Sequence, residues 1–151
     1  MPNIKKVELK SISIQGVQVR TKNADEMTNE GKIAPLWKRF YTEVLPTLKE
    51  GATVYGVYHN YESDENGEFD VLVGADKLTL KEEMQKVELE SGNYLMFPVK
   101  GELPQAIIET WGQIWAYFND PSIDERRAFK TDFELYKSAD EVEIYIGVEY
   151  L

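Results

Sequence analysis

The sequence contains an internal repeat, in which the order strand, helix, strand, strand is predicted once in each half of the chain. In the first half, near-alternating apolar residues predict a strand over residues 5–20 that bends near Gly16, and apolar residues at helical spacing predict a helix over 35–51. In the second half the same patterns predict a strand over 94–101 and a helix over 103–120. Two strand-like runs follow each predicted helix.

The repeat is also visible in individual residues. The segment 70–76 (DVLVGAD) resembles the segment 143–149 (EIYIGVE), and Leu36-Trp37 resembles Thr110-Trp111 at nearly the same offset. Two matches at nearly the same offset favour duplication over chance. The sequence therefore predicts two copies of one motif.

Each copy alone would form a small sheet with one apolar face. We therefore expect the two copies to pair into a continuous antiparallel sheet that carries two helices, an α+β fold with a groove between the helices. With 151 residues, the chain has the size of one ordinary domain, so we expect residues 1–151 to form a single domain with pseudo-repeats at about 5–76 and 92–151. The lysine- and glutamate-rich stretch 78–91 is expected to connect the halves, with some strand near its ends.

Cysteine and histidine usage excludes several kinds of chemistry. The chain has no cysteine and one histidine, His59, so disulfides, thiolate zinc sites and cysteine nucleophiles are ruled out. A metal site would depend on carboxylates, and a serine triad would depend on His59. We expect no metal, no cofactor and no catalytic residues.

Charge and hydropathy restrict the partners. The formal charge is −10 and the isoelectric point is about 4.6, which disfavours nucleic acid and anionic membrane surfaces. The first residues contain no apolar run long enough for a signal peptide or a membrane helix, so we expect a cytoplasmic location.

The aromatic content suggests a binding site. Aromatic residues make up 12% of the chain, including nine tyrosines and three tryptophans, which is more than a minimal core requires. Any one aromatic residue at helical or strand spacing is more often part of the core. The candidates for a site, taken as a set, are Trp37, Tyr41, Tyr55, Phe97, Trp111, Trp115 and Tyr145.

Glu134 is the acidic residue with the most unusual position, because it interrupts an apolar strand in Phe133-Glu134-Leu135-Tyr136. Alternation along a strand places Glu134 and Tyr136 on the face opposite Phe133. If that face is exposed to solvent, Glu134 is a surface residue. If it faces the groove, a carboxylate beside aromatic rings suits a lipophilic cation.

Several segments, in order along the whole chain, resemble the GyrI-like family, which is the effector-binding domain of AraC-type and multidrug-responsive transcription regulators and belongs to the SOUL-like superfamily. The segments that carry the resemblance are 17–21, 55–58, 69–74, the helix around Trp111, 132–136 and 144–148. The resemblance implies a duplicated fold whose groove, at a pseudo-twofold axis, binds organic compounds that are often cationic and lipophilic. It also implies a buried glutamate surrounded by aromatic residues, and the matching position is Glu134.

Three functions remain open at this point. The first is binding of a small cationic lipophilic compound without a DNA-binding domain, since no helix-turn-helix is predicted before residue 5. The second is hydrolysis of reactive electrophilic compounds, as some GyrI-like proteins resemble hydrolases, with Glu134 as a general base. The third is a gyrase-inhibitor-like domain that docks on a protein partner through acidic residues. The acidic residues are Glu62, Asp64, Glu65 and Glu68.

Overall fold

The computed structural model describes residues 4–64, 66–138 and 141–150. Within them, eight strands form one antiparallel sheet. The strands are β1 (Lys5–Leu9), β2 (Ser13–Thr21), β3 (Val54–His59), β4 (Phe69–Ala75), β5 (Gln85–Glu88), β6 (Gly92–Val99), β7 (Glu125–Ser138) and β8 (Glu141–Tyr150). The helices are α1 (Asn23–Glu26), α2 (Ile33–Arg39) and α3 (Gln105–Phe118).

The strand order is β1-β6-β8-β7-β3-β4-β2-β5. The pairing of β3 with β7 joins the halves, and the order β3-β4-β2 on one side matches β7-β8-β6 on the other. The predicted α+β fold, with a duplicated motif in one antiparallel sheet, is therefore confirmed. The two edge strands lie beside the other repeat. β1, which precedes the first repeat's β2, pairs with β6 of the second, and β5, which precedes β6, pairs with β2 of the first.

The region predicted as one strand over 5–20 consists of two strands. β1 ends at Leu9 and β2 begins at Ser13, and they lie far apart in the sheet, with β1 at one edge and β2 next to the opposite edge strand, β5. The apolar residues change from odd to even positions between Leu9 and Ile12, and this change of parity coincides with the break. Gly16 does not mark it, because Gly16 lies inside β2 and pairs with Gly74 of β4.

The first long helix is irregular. From Phe40 to Val44 the helix α2 continues as a π-helical turn, and from Leu45 to Thr47 as a 3₁₀ turn. Pro46 lies in the 3₁₀ turn, where it cannot donate a backbone hydrogen bond. The helix therefore ends before Gly51, the predicted cap, which instead has a positive φ of 80° in the next turn.

Both faces of the sheet are packed. One face packs against the helices, with Leu36 and Phe40 in the first half and Ile114 in the second half fully or almost fully buried. On the other face Val57 and Phe133 belong to a separate buried cluster. In the described part of the chain, no helix is both long and apolar enough to cross a lipid bilayer.

Candidate functional site

A groove lies between α2 and α3, above the line where β3 pairs with β7. It encloses about 1150 Å³, enough for a drug-sized organic molecule. Both halves of the chain contribute to it: Trp37 comes from α2 and Trp111 from α3, while Tyr58 of β3 and Glu134 of β7 lie on the sheet below them. The lining is largely aromatic and aliphatic.

Glu134 is buried, with 3% of its surface exposed, and accepts three hydrogen bonds. The Tyr58 hydroxyl and the Trp111 indole Nε1 each donate to its Oε2 at 2.8 Å, and the Tyr136 hydroxyl donates to its Oε1 at 2.6 Å. All three donors are neutral. Within the described residues, no salt bridge joins Glu134 to a lysine or an arginine.

The strand register explains how the carboxylate fits. Glu134 pairs directly with Gly56 on β3. A Cβ atom at Gly56 would lie 3.2 Å from Glu134 Oε1 and 3.7 Å from Trp37 Cζ2. The missing side chain at Gly56 therefore leaves room for both groups in the floor of the groove.

The tyrosine donors remain protonated over a wide pH range. Burial raises the pKa of Tyr58 well above its usual value of 10, and the negative charge of Glu134 raises it further. The same two causes, in the same order, raise the pKa of Tyr136. Both hydroxyls therefore act as donors at any physiological pH.

Ring contacts hold these donors in place. Tyr58 packs edge-to-face on Trp111, with ring centroids 5.2 Å apart, and Tyr136 packs in the same way on Trp37 at 5.0 Å. Each helix thus supplies one tryptophan that supports one tyrosine of the sheet. The carboxylate is positioned before any ligand arrives.

The structure places five of the eight predicted site residues around the groove. Glu134 lies in its floor, Trp37 and Tyr41 line it from the first half, and Trp111 and Trp115 line it from α3. Tyr41 is 58% exposed, which places it at the mouth.

The structure does not bring the other three predicted aromatic residues to the groove. Tyr55 and Tyr145 belong to the cluster on the opposite face, where Tyr145 stacks on Phe133 at 4.7 Å. Strand alternation is the reason, because Tyr55 adjoins Gly56 and Tyr145 lies between Ile144 and Ile146, which face α3. Phe97 faces the helices, but from β6 it packs beneath α3 against Tyr117 and Phe118.

Five aromatic residues missing from the predicted set line the groove: Phe40, Tyr58, Tyr61, Phe69 and Tyr136. Tyr136 could have been included, because alternation already placed it beside Glu134. Tyr58 could have been assigned only with the register that aligns β3 with β7, and one sequence does not provide it.

A second buried carboxylate lies near the groove on the same strand. Asp132 is fully buried and accepts hydrogen bonds from Arg127 Nη2 at 2.7 Å, from the Gly147 backbone N–H at 2.9 Å and from the Tyr61 hydroxyl. Arg127 and Tyr61 line the groove in front of it. Asp132 therefore has an internal cation, whereas Glu134 has none within the described residues.

The acidic segment after β3 forms a turn closed by its own hydrogen bonds. The Glu62 N–H donates to the Glu68 carbonyl oxygen at 2.8 Å, and the Asn66 N–H donates to Asp64 Oδ1 at 2.9 Å. Glu68 also forms a salt bridge with Arg20. Glu65, named with these acids in the sequence, lies outside the described residues.

Comparisons with known proteins agree with this architecture. A Vibrio cholerae integron cassette protein of known structure is 43% identical, with a TM-score of 0.90, covering 97% of this chain and 95% of the other. The SAV2435 protein bound to tetraphenylphosphonium is 18% identical with a TM-score of 0.74, covering 97% and 94%, and so shares the fold.

The YobU protein of Bacillus subtilis (strain 168) is 29% identical to this chain, over 89% of this chain and 90% of its own length. Its name describes it, provisionally, as a transcriptional regulator. Residues 6–148 match the Cass2 family, described as integron-associated effector binding protein. The resemblance to effector-binding domains predicted from the sequence is confirmed, and the chain belongs to the integron-associated effector-binding protein family.

Proposed function

We propose that the groove binds small organic cations with large apolar surfaces, and that Glu134 supplies the counter-charge. The observation that carries the proposal is a buried carboxylate in an aromatic groove, held by three neutral donors and by no cation among the described residues. Burying a carboxylate is costly, and neutral hydrogen bonds offset only part of that cost. A cationic ligand would supply the missing charge.

The cations that border the groove are already engaged. Arg127 forms a salt bridge with Asp132 at 2.7 Å, and Lys137 forms one with Glu143 at 3.0 Å. Neither of these salt bridges involves Glu134. Glu134 is therefore the buried carboxylate of the groove whose charge is available to a ligand. Glu26, the other carboxylate in the lining, is only half-buried and accepts hydrogen bonds from the Lys32 and Ile33 backbone N–H groups.

The lining suits the apolar part of such a ligand. The rings of Trp37, Tyr58 and Trp111 present π-faces and edges near the carboxylate, and π-faces attract cations by about 0.5–2 kcal/mol each. The SAV2435 protein, which shares this fold, has a solved structure bound to tetraphenylphosphonium, a cation of this class. We extend that ligand class to this chain.

The groove geometry supports binding rather than hydrolysis. An ionised carboxylate has about four lone-pair positions, and Glu134 uses three of them for tyrosine and tryptophan donors. A general base must also hold a water molecule in line with the substrate. With three positions occupied, Glu134 is better arranged as a fixed charge than as a base.

Tryptophan fluorescence provides the test, because all three tryptophans of the chain line the groove. Titration with tetraphenylphosphonium is expected to quench this fluorescence and to saturate. The isosteric neutral compound tetraphenylmethane is too insoluble, so triphenylphosphine oxide is the neutral control, and we expect it to bind at least about tenfold more weakly. Equal affinity for the two compounds would contradict the proposal, and so would the absence of any response.

A further inference from the structure

One buried carboxylate lies in the groove and a second lies behind its wall, and their surroundings differ. Asp132 and Glu134 are alternate residues of β7, so they point to the same face of the sheet, about 7 Å apart along the strand. Both are essentially inaccessible to solvent. One has an arginine partner and the other has neutral partners.

An irregularity in β7 brings the arginine to Asp132. The register against β8 shifts between Arg127 and Asp132, and Phe129 within the shift has a φ of 53°. This bulge brings the Arg127 guanidinium to Asp132 and over the Phe129 ring, 4.4 Å from its centroid. The Arg127 side chain is only 8% exposed, so the guanidinium is held as a fixed part of the groove wall.

We propose that Arg127 sets the number of positive charges that a ligand of this groove can carry, restricting it to compounds with one cationic centre. The inference depends on the proposed function, since it concerns the ligand held by Glu134. Arg127 neutralises Asp132 and presents its own positive charge to the groove. If a ligand had a second cationic centre farther along β7 from the first, the guanidinium would repel it.

The sign of the effect follows from the charges. With Arg127 and Asp132 both present, their charges cancel, and along β7 the groove floor carries the negative charge of Glu134 alone. Without the guanidinium, Asp132 would become a second anionic position about 7 Å from the first, a spacing that suits a dication. Without the Asp132 charge, the guanidinium would repel any cation.

Two flat compounds of nearly the same shape test this. Methyl viologen carries two positive nitrogens separated by roughly the distance between alternate strand residues, about 7 Å, and N-methyl-4-phenylpyridinium carries one. Tryptophan fluorescence titration gives the ratio of their dissociation constants. We expect the wild-type protein to prefer the monocation about tenfold or more, and Arg127→Gln to move the ratio about tenfold or more toward the dication.

Two further variants keep the test valid if Arg127→Gln fails to fold. Asp132→Asn leaves the guanidinium charge uncompensated, so we expect it to weaken monocation binding about tenfold. The double variant Arg127→Gln/Asp132→Asn removes both charges, so its ratio should lie nearer the wild-type value than that of Arg127→Gln. Circular dichroism and urea unfolding establish which variants fold.

The outcomes separate this inference from the proposed function. If the monocation binds and Glu134→Gln weakens it, but the ratio stays the same in every folded variant, Arg127 does not select ligand charge and the inference is wrong. If neither compound nor tetraphenylphosphonium binds the wild-type protein, the proposed function fails with it. If loss of the Arg127 charge moves the ratio of dissociation constants toward the dication, and the further loss of the Asp132 charge moves it back, the result supports both the inference and the proposed function.

Discussion

Glu134→Gln is expected to reduce the affinity for tetraphenylphosphonium by about tenfold to a hundredfold, or roughly 1.4 to 2.7 kcal/mol. The substitution removes the charge and preserves the shape. A glutamine can still accept from Tyr58 and Trp111 through its oxygen, and its amide can donate to the Tyr136 hydroxyl, which also accepts. Affinity for the neutral triphenylphosphine oxide should not change.

The same variant is expected to be as stable as the wild-type protein or more stable. Replacing a buried charge by a neutral group of equal volume removes a desolvation cost. Isothermal titration calorimetry and urea unfolding measure the two effects separately. Weaker binding with undiminished stability is characteristic of a charge that is kept for a ligand, whereas equal losses of both would make Glu134 a structural residue.

Glu125→Gln is the matched control. Glu125 is also a buried strand glutamate with a tyrosine donor, accepting from the Tyr117 hydroxyl at 2.7 Å, and it forms a salt bridge with Lys6. Neither Glu125 nor Lys6 lines the groove. Its substitution should leave cation affinity unchanged, and a loss similar to that of Glu134→Gln would show that net charge alone drives binding.

Gly74→Ala is expected to have the largest effect on stability, a loss of about 3 kcal/mol or more. Gly74 of β4 pairs with Gly16 of β2. A Cβ atom at Gly74 would lie 1.9 Å from the Gln15 carbonyl oxygen, and one at Gly16 would lie 2.0 Å from the Val73 carbonyl oxygen. Because both obstacles are backbone atoms, a rotamer change cannot relieve the clash and the strands must separate.

Gly112→Ala is the control for this substitution. Gly112 lies in α3 and is exposed, and nothing stands within 4 Å of the position that its Cβ would take. Alanine is favoured over glycine inside a helix, so this variant should gain up to about 1 kcal/mol. Urea unfolding of both variants measures the difference, and equal midpoints for Gly74→Ala and the wild-type protein would contradict the close approach of β2 and β4.

The sequence predicts the sheet and the helices well because duplication supplies two independent views of each element. The similarity of 70–76 to 143–149 identifies β4 and β8, and both prove to pair with the central strands β3 and β7. The break between β1 and β2 could not be predicted. The change from odd to even apolar positions between Leu9 and Ile12 is equally typical of a bend within one strand, and only the sheet order shows that β1 and β2 lie far apart.

Strand alternation predicts part of the site. It places Glu134 and Tyr136 on one side, and the structure puts both in the groove. It could not show which side Tyr55 and Tyr145 occupy, because both faces of this sheet are buried and apolar. The contact between Arg127 and Asp132 could not be predicted either, because it depends on a bulge that has no clear signal in residues 128–131.

The position of a bound cation decides whether Glu134 holds the ligand. Tetraphenylarsonium has nearly the shape of tetraphenylphosphonium, and its arsenic atom can be located by anomalous diffraction from crystals of the complex. We expect one arsenic site in the groove between Trp37 and Trp111, with Glu134 as the nearest carboxylate. An arsenic site on the outer surface beside exposed acids such as Glu62 and Glu68, with the groove empty, would contradict it.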